Sequence, residues 1–484
     1  MKRNVFIIIL VSLFGLALYF PFLGKKEFQG EEGRRVLIAL EMLEKGEYLF
    51  PQLFEEPYFN KPPLFNWALA IFFKFTKDYS EFTARAFSSL SVIFTAIFLI
   101  FFWQALLNNI EKRTTLSLSI FFLPGLIFLT TPEVMDKALR AEIDAFYTML
   151  ITLGLFSWFY FYEIKIKKNI AFFLLGFFLG LGILTKTFQA LLFFYLAYLP
   201  YFLIQKRWKE IFSFSHLLGL LTIIAIFLGW AIPVSKKIGL SPFIKAWLEQ
   251  YLSCAKAKEM TPVQHFKSFT LSALLGFSPW IYFISFYLKE NFRKFLKNNF
   301  PLHKLWTFSA FLFMFSYLFH FLFLGARLRY VLPSIGGLVF LSSLSIYYFF
   351  TSSYFPQKLK LFLSKILPLL SIFITIFFIF YTYFTSLEIF SYFYVFCLLF
   401  ITLNLFILLK NFSSFHPLFY YLIIYLFFIK QLYISFYYPL HQKEMNHFRK
   451  NAIKLGEIIK DKNELCLCKT VPHHLIYYLS LIHI

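Results

Sequence analysis

Residues 84–107 read ARAFSSLSVIFTAIFLIFFWQALL. After Arg85 the run is uncharged, and it is long enough for a helix to cross about 30 Å of hydrocarbon. Lipid offers no partners to the backbone, so such a run satisfies its N–H and C=O groups inside a helix. Similar runs recur along most of the chain. The expected spans are 4–23, 84–107, 115–131, 143–162, 170–184, 188–204, 211–233, 268–288, 305–325, 330–350, 366–385, 390–409 and 415–436. The fold class is therefore an all-α polytopic membrane protein with about 13 transmembrane helices. Only Thr185-Lys186-Thr187 divides the pair 170–184 and 188–204.

Composition agrees. Hydrophobic residues make up 59% of the 484 positions and charged residues 15%, against about a quarter charged in a soluble domain. The net charge of +22 sits in loops between apolar runs. Membrane phospholipid and orientation account for much of it, and no aromatic–basic motif points to nucleic acid. The 74 Phe residues are explained by base bias in the coding sequence and carry no functional inference. Cys397 falls inside an apolar run. Cys254, Cys466 and Cys468 complete the cysteines, and no disulfide framework is visible. Cys466-x-Cys468 with His473-His474 fits no standard zinc spacing. The basic start and the apolar run to Leu23 lack an A-x-A-like cleavage site, so an uncleaved first helix is expected.

Short loops set orientation. Lys112-Arg113, Lys165–Lys168, Lys206–Lys209, Arg293–Lys297 and Lys358–Lys365 alternate with the spans as the positive-inside rule requires. This puts the N-terminus in the cytoplasm and the C-terminus outside. The transmembrane domain is 1–436, with extracytoplasmic loops 24–83, 132–142 and 234–267. Val36–Leu43 and Phe243–Leu252 are amphipathic pieces suited to the membrane interface. Residues 437–484 form a short extracytoplasmic segment. There Glu444–Lys460 reads as a helix, Glu464–Lys469 as a strand, and Pro472 onward as another helix, a small α/β stub that must dock on the bundle.

Charged groups cluster on the extracytoplasmic side. Glu31-Glu32 follow the first span, with Arg34-Arg35 just beyond. An acidic pair there can act as base and metal ligand, or simply begin a salt-bridged helix whose dipole favours early acids. Lys61-Pro62-Pro63 holds a lysine on a rigid turn before an apolar helix, suited to a lipid phosphate or to snorkelling. Asp136, Lys137, Arg140, Glu142 and Asp144 precede and open the fourth span. Asp144 stands where a carboxylate is costly unless paired, so it is a functional candidate. Arg140 lies four residues away and would share its helix face.

These pieces, in order, resemble a known family. They are Glu31-Glu32 with Arg34, Met42-Leu43-Glu44-Lys45-Gly46 leading to Pro51, Lys61-Pro62-Pro63-Leu64-Phe65-Asn66-Trp67, Arg85, and Arg140-Ala141-Glu142-Ile143-Asp144. The set is similar to the bacterial GT-C membrane glycosyltransferases related to protein O-mannosyltransferases, especially the aminoarabinose transferases that modify lipid A. It is strongest over 24–190 and extends to about residue 335. The resemblance implies an inverting enzyme with a thirteen-helix bundle. It implies a polyprenyl-phosphate monosaccharide as donor, used on the extracytoplasmic face of the bacterial inner membrane. The family's acid pair is usually Asp-Glu, where this chain has Glu31-Glu32. Asn60 stands where the aminoarabinose transferases place a metal-binding Glu. His265 is the alternative ligand, with Glu32, for a divalent metal. Gly180-Leu181-Gly182-Ile183-Leu184-Thr185-Lys186 resembles the family segment ending in Lys. Gly176 and Gly180 also form a G-x-x-x-G suited to close packing. Ser278-Pro279-Trp280 resembles a family kink. Arg327, Arg329 and Tyr330 resemble its basic lead into a later helix.

On this reading Glu31 and Asp144 are the catalytic candidates. Arg34, Lys61, Arg140, Lys186, Arg327, Arg329 and Tyr330 are donor-phosphate candidates, and Glu32 and His265 metal candidates. The partners are a polyprenyl-phosphate sugar, a lipid, glycan or protein acceptor, and membrane lipids. Two rivals stay open: a transporter or flippase of a lipid-linked substrate, and an inactive family member or scaffold.

Overall fold

A computed structural model describes residues 2–54, 56–110, 118–245, 261–352, 356–384, 392–410, 412, 414–445, 447–459 and 473–483. The chain forms two compact units, Met1–Tyr19 with Arg34–Ser345, and Phe20–Gly33 with Ile346–Ile484.

In the first unit, α1 (Lys2–Tyr19) is followed by α2 (Glu32–Lys45), which enters from the second unit, a two-residue β-hairpin (Gln52–Leu53 with Glu56–Pro57), α3 (Leu64–Thr76) and α4 (Glu81–Ile110). The expected span 115–131 is instead two short pieces, Leu118–Phe121 and α5 (Leu123–Leu129), and its first residues lie outside those described. Pro132 then opens α6 (Pro132–Ala138), where a missing N–H costs nothing. α7 (Ile143–Phe159) follows, continuing as a π turn at Tyr160–Ile164. α8 (Lys168–Lys186) and α9 (Gln189–Ile204) are separate helices, broken at Thr187, whose φ of 87° ends the first.

Next come α10 (Phe214–Ile238) and α11 (Pro262–Gly276). The expected span 268–288 is not one rod: α11 and the 3-10 segment Trp280–Leu288 meet at 96°, across a cis Ser278–Pro279 peptide. Proline has no N–H to give the helix, so a break here follows from the residue type. α12 (Glu290–Asn298), α13 (Phe300–Leu322) and α14 (Ile335–Thr351) complete the run, the last crossing into the second unit.

Among the described residues eight helices are long and apolar enough to cross a membrane, nine if the bent pair counts as one. Shorter apolar helices lie at Arg3–Tyr19, Leu64–Thr76, Gln189–Ile204 and Phe393–Leu409. The polytopic all-α class holds, while the count of about thirteen is not confirmed.

Packing in this unit rests on rings and on small residues. Trp158, fully buried, stacks on Tyr162 at 5.0 Å and meets Phe194 and Phe308 at 5.4 Å. α8 and α10 touch through glycine: a Cβ on Gly176 would lie 2.4 Å from the Gly219 carbonyl oxygen. That is the close packing expected of the G-x-x-x-G. At the π turn Glu163 accepts from Arg207 Nη1 at 3.1 Å and from Lys304 Nζ at 2.5 Å. Its side chain is 1% exposed, so one carboxylate ties three helical segments together.

The second unit holds α15 (Leu367–Phe384), α16 (Tyr392–Leu409), α17 (Phe415–Met445), α18 (His447–Ile459) and α19 (His473–His483). The terminal helices pack, within this unit, on the segment after α1. Glu27 accepts from the backbone N–H groups of Phe448 (3.3 Å) and Arg449 (2.7 Å), capping the positive end of α18. The Phe28 N–H donates to Tyr478 Oη at 3.1 Å, and its ring meets Tyr477 edge-on at 4.7 Å. The strand expected at 464–469, with Cys466 and Cys468, lies outside the described residues, as does Cys254. Glu27→Ala is expected to weaken this docking by about 1–3 kcal/mol, the worth of hydrogen bonds to a charged group. Faster amide exchange over 447–459, with exchange in α8 unchanged, is the readout.

Candidate active site

The helix breaks around residue 140 build the centre of the site. α6 ends at Ala138, Glu142 is extended (φ −118°, ψ 159°), and α7 starts at Ile143. Asp144 thus sits in the first turn of α7, where the helix dipole favours an anion, and Lys186 in the last turn of α8, where it favours a cation. The two meet, with Lys186 Nζ 2.6 Å from Asp144 Oδ1, and their side chains are 7% and 5% exposed. The ammonium also lies over the rings of Tyr147 (5.4 Å) and Tyr330 (5.1 Å). Cation–π contact gains strength in so dry a setting.

Arg329 closes the network from the turn before α14. Its Nη1 is 3.3 Å from Glu142 Oε2 and 3.8 Å from Asp144 Oδ2. Its Nε is buried and, among the described residues, has no hydrogen-bond partner. A guanidinium has five N–H donors and few ways to leave one dry, so this group is a ready anion donor. Lys137 bridges Asp136 (2.8 Å) and Glu142 (3.9 Å). Burial pushes the Glu142 carboxyl above the usual range, with Asp144 adding to this and Lys137 and Arg329 opposing. For Asp136 burial acts the same way, but Lys137 and Arg140 outweigh it and hold the carboxyl low.

The structure distributes the other candidates as follows. Arg140 bonds Asp136 through Nε and Nη2 at 3.1 and 2.9 Å. The pairing across one helix face with Asp144 does not arise, because the backbone between them is not helical. Arg327 is exposed, so of the two arginines only Arg329 enters the network. Arg34 and Arg35 lie over the Tyr58 ring at 5.9 and 5.7 Å. Lys61 is half-buried on the bend before α3. Glu31 lies in the turn before α2, and the buried Glu32 accepts the Gln29 N–H at 2.8 Å, starting the helix as an early acid can. Both belong to the second unit.

His265 has a different job from the one expected. Nδ1 accepts the Gly325 N–H at 3.3 Å, which makes Nε2 the donor to Phe321 O at 3.1 Å. With both ring nitrogens engaged, it pins the turn ahead of Arg327–Tyr330. Among the described residues no group of three His, Cys, Asp or Glu side chains could hold a metal ion. Sequence reasoning names Lys137, Asp136 and Glu142 without giving them roles. The Glu142-x-Asp144 spacing is the available signal, since extended residue 142 and helical residue 144 can face one cation.

A buried lysine–aspartate pair, flanked by an arginine with a donor to spare, has the chemistry to receive an anion such as a phosphate. Residues 60–232 match the family described as dolichyl-phosphate-mannose-protein mannosyltransferase. The fold is shared with a crystal structure of ArnT from Cupriavidus metallidurans bound to undecaprenyl phosphate. Its TM-score is 0.70 at 16% identity, over 98% of this chain and 84% of that one. The chain thus has the fold of that structure and a segment similar to that family, in line with the resemblance the motifs carry.

The chain is also similar to proteins named undecaprenyl phosphate-alpha-4-amino-4-deoxy-L-arabinose arabinosyl transferase. It is 28% identical to that of Pectobacterium atrosepticum over 277 residues, 56% of this chain and 48% of the relative. It is 30% identical to that of Pectobacterium carotovorum over 228 residues, 47% and 39% of the two chains. The matched regions span about half the length of these relatives or less.

Proposed function

We propose that the protein is an inverting glycosyltransferase. It moves a monosaccharide from a polyprenyl-phosphate donor to a lipid A, glycan or protein acceptor. The reaction takes place on the extracytoplasmic face of the bacterial inner membrane, with the N-terminus inside and the C-terminus outside. The observation that carries this is the Asp144–Lys186–Arg329 network. The donor's phosphodiester takes the spare Arg329 Nε–H and shares Lys186 with Asp144. Attack at the anomeric carbon from the side opposite the phosphate inverts that carbon. As the C1–O bond breaks, Lys186 and Arg329 meet the charge growing on the leaving phosphate. A lipid phosphate leaves with little need of a proton, so the cations do most of the work on that side. Lys61 and Arg34 are further phosphate contacts on this reading.

The test is turnover. Purified protein is mixed with a panel of polyprenyl-phosphate sugars and a membrane extract as acceptor, and released polyprenyl phosphate is followed by mass spectrometry. Release with product formation supports the transferase. Binding of the donors with no turnover of any sinks it and favours a transporter or an inactive relative. Arg329→Lys is expected to weaken undecaprenyl phosphate binding by roughly 10-fold, the equivalent of about 1.4 kcal/mol. Arg327→Lys, at an exposed position, is expected to change it less than 2-fold (about 0.4 kcal/mol). Tryptophan fluorescence titration with the lipid phosphate compares them.

A further inference from the structure

The two cations of the network come from distant parts of the chain. Lys186 ends α8, and Arg329 lies in the 3-10 turn before α14. They approach the two oxygens of Asp144 at 2.6 and 3.8 Å. Like charges this close repel each other, and a shared carboxylate holds only the tips of the side chains. Their backbones need a tie of their own, and His320 is placed to supply it. It stands in the last turn of α13 and is 4% exposed. Nδ1 lies 2.8 Å from Ser316 O, so Nδ1 carries the proton and donates. That makes Nε2 the acceptor, and the Gln189 amide donates to it at 3.0 Å. Gln189 opens α9, three residues beyond Lys186 and just past the break at Thr187. The imidazole also stacks on Phe193 of α9, with centroids 6.0 Å apart, and meets the Tyr330 ring at 6.2 Å. Tyr330 follows Arg329, and the Lys186 ammonium lies over its ring at 5.1 Å. The circuit Lys186–Tyr330–His320–Gln189 thus closes on itself, with one imidazole between the segments that carry the two cations.

We propose that His320, clipped to Gln189, is a positioning residue that sets the spacing of Lys186 and Arg329 for the donor phosphate. The inference rests on the glycosyltransferase reading above. His320 touches no reacting atom on this account. It holds the start of α9 through the Gln189 amide and the turn before α14 through the Tyr330 ring. Cations stabilise a leaving phosphate best when they are already in place before charge develops on it. Without the clip the α8–α9 break and the Arg329 turn move separately, and the two cations no longer converge on one phosphate. The effect on rate should exceed the effect on binding, because the leaving phosphate gains charge in the transition state and a small misplacement is felt most there.

The experiment titrates undecaprenyl phosphate into purified wild type, His320→Leu, Gln189→Leu, the double variant and His320→Gln, and measures turnover of the same donor panel. Fluorescence titration gives both Kd and the number of binding sites per molecule. Each Leu variant is expected to raise Kd roughly 5-fold, the worth of one hydrogen bond, with the number of sites unchanged. Turnover should fall by roughly 100-fold. The double variant should be no worse than either single one, because both remove the same contact. His320→Gln presents a carbonyl oxygen where Nε2 stood, and should recover most of the affinity and rate. Wild-type Kd and rate in both Leu variants overturn the assignment. So do losses that add in the double variant, which mean that the two residues act separately. Fewer sites at an unchanged Kd also overturn it, since His320 then serves folding alone. A wild type that neither binds the lipid phosphate nor turns over a donor removes the transferase reading instead, and this inference with it.

Discussion

Asp144→Asn is expected to abolish turnover per molecule, compared at matched amounts of protein in the membrane. The substitution keeps shape and removes charge. Lys186 then faces an amide across 2.6 Å, in a pocket that shields neither group with water. Breaking one half of a buried ion pair leaves the other charge uncompensated, at about 3–5 kcal/mol. The freed ammonium swings toward other acceptors, with Glu142 among the nearby carboxylates. A displacement of about 1 Å in a positioning group lowers rates by about 10²-fold, so a fall of 10²-fold or more is expected here. The measurement is donor turnover at matched protein, with quantitative blotting of membranes. Near-normal turnover in Asp144→Asn would mean the network only holds helices together. Lys186→Met should behave differently, losing lipid phosphate binding as well as rate.

The second large effect lies in packing. Gly176→Leu puts a side chain where even a Cβ meets the Gly219 carbonyl at 2.4 Å and Thr222 Cβ at 2.9 Å. Neither neighbour is the far end of a flexible chain. α8 and α10 must separate, or α8 must turn, and α8 carries Lys186 at its end. Overpacking of this kind costs about 1–3 kcal/mol when the surroundings can yield, and more when they cannot. Low membrane abundance and early melting in detergent are expected. Gly180→Ala is milder, because its neighbour is the Ile226 side chain, whose Cδ1 lies at 2.8 Å. Equal abundance of Gly176→Leu and wild type would show that α10 can move aside.

The sequence makes the helical class plain, because a charge-free run of span length has few other fates in lipid. It also shows Asp144 and Lys186 as costly charges at helix ends. Their pairing across 42 residues is not visible in the sequence, since no local period connects them. Arg140 illustrates the limit of periodicity. Four residues from Asp144, it would share its face on a continuous helix, but the extended Glu142 breaks the register. His265 reads as a ligand because a sequence does not reveal that both ring nitrogens are occupied.

The π turn at Tyr160–Ile164 has a mechanical meaning of its own. A π turn carries about one residue more than an α turn of the same rise, so it is a stored insertion. If the same residues closed into a regular α turn, everything beyond would rotate by about 100°. Glu163 would swing off Arg207 and Lys304, and the junction would come apart at the opposite end of α7 from Asp144. The extra residue thus acts as a vernier: it sets the angular phase of one end of a long helix without disturbing the other.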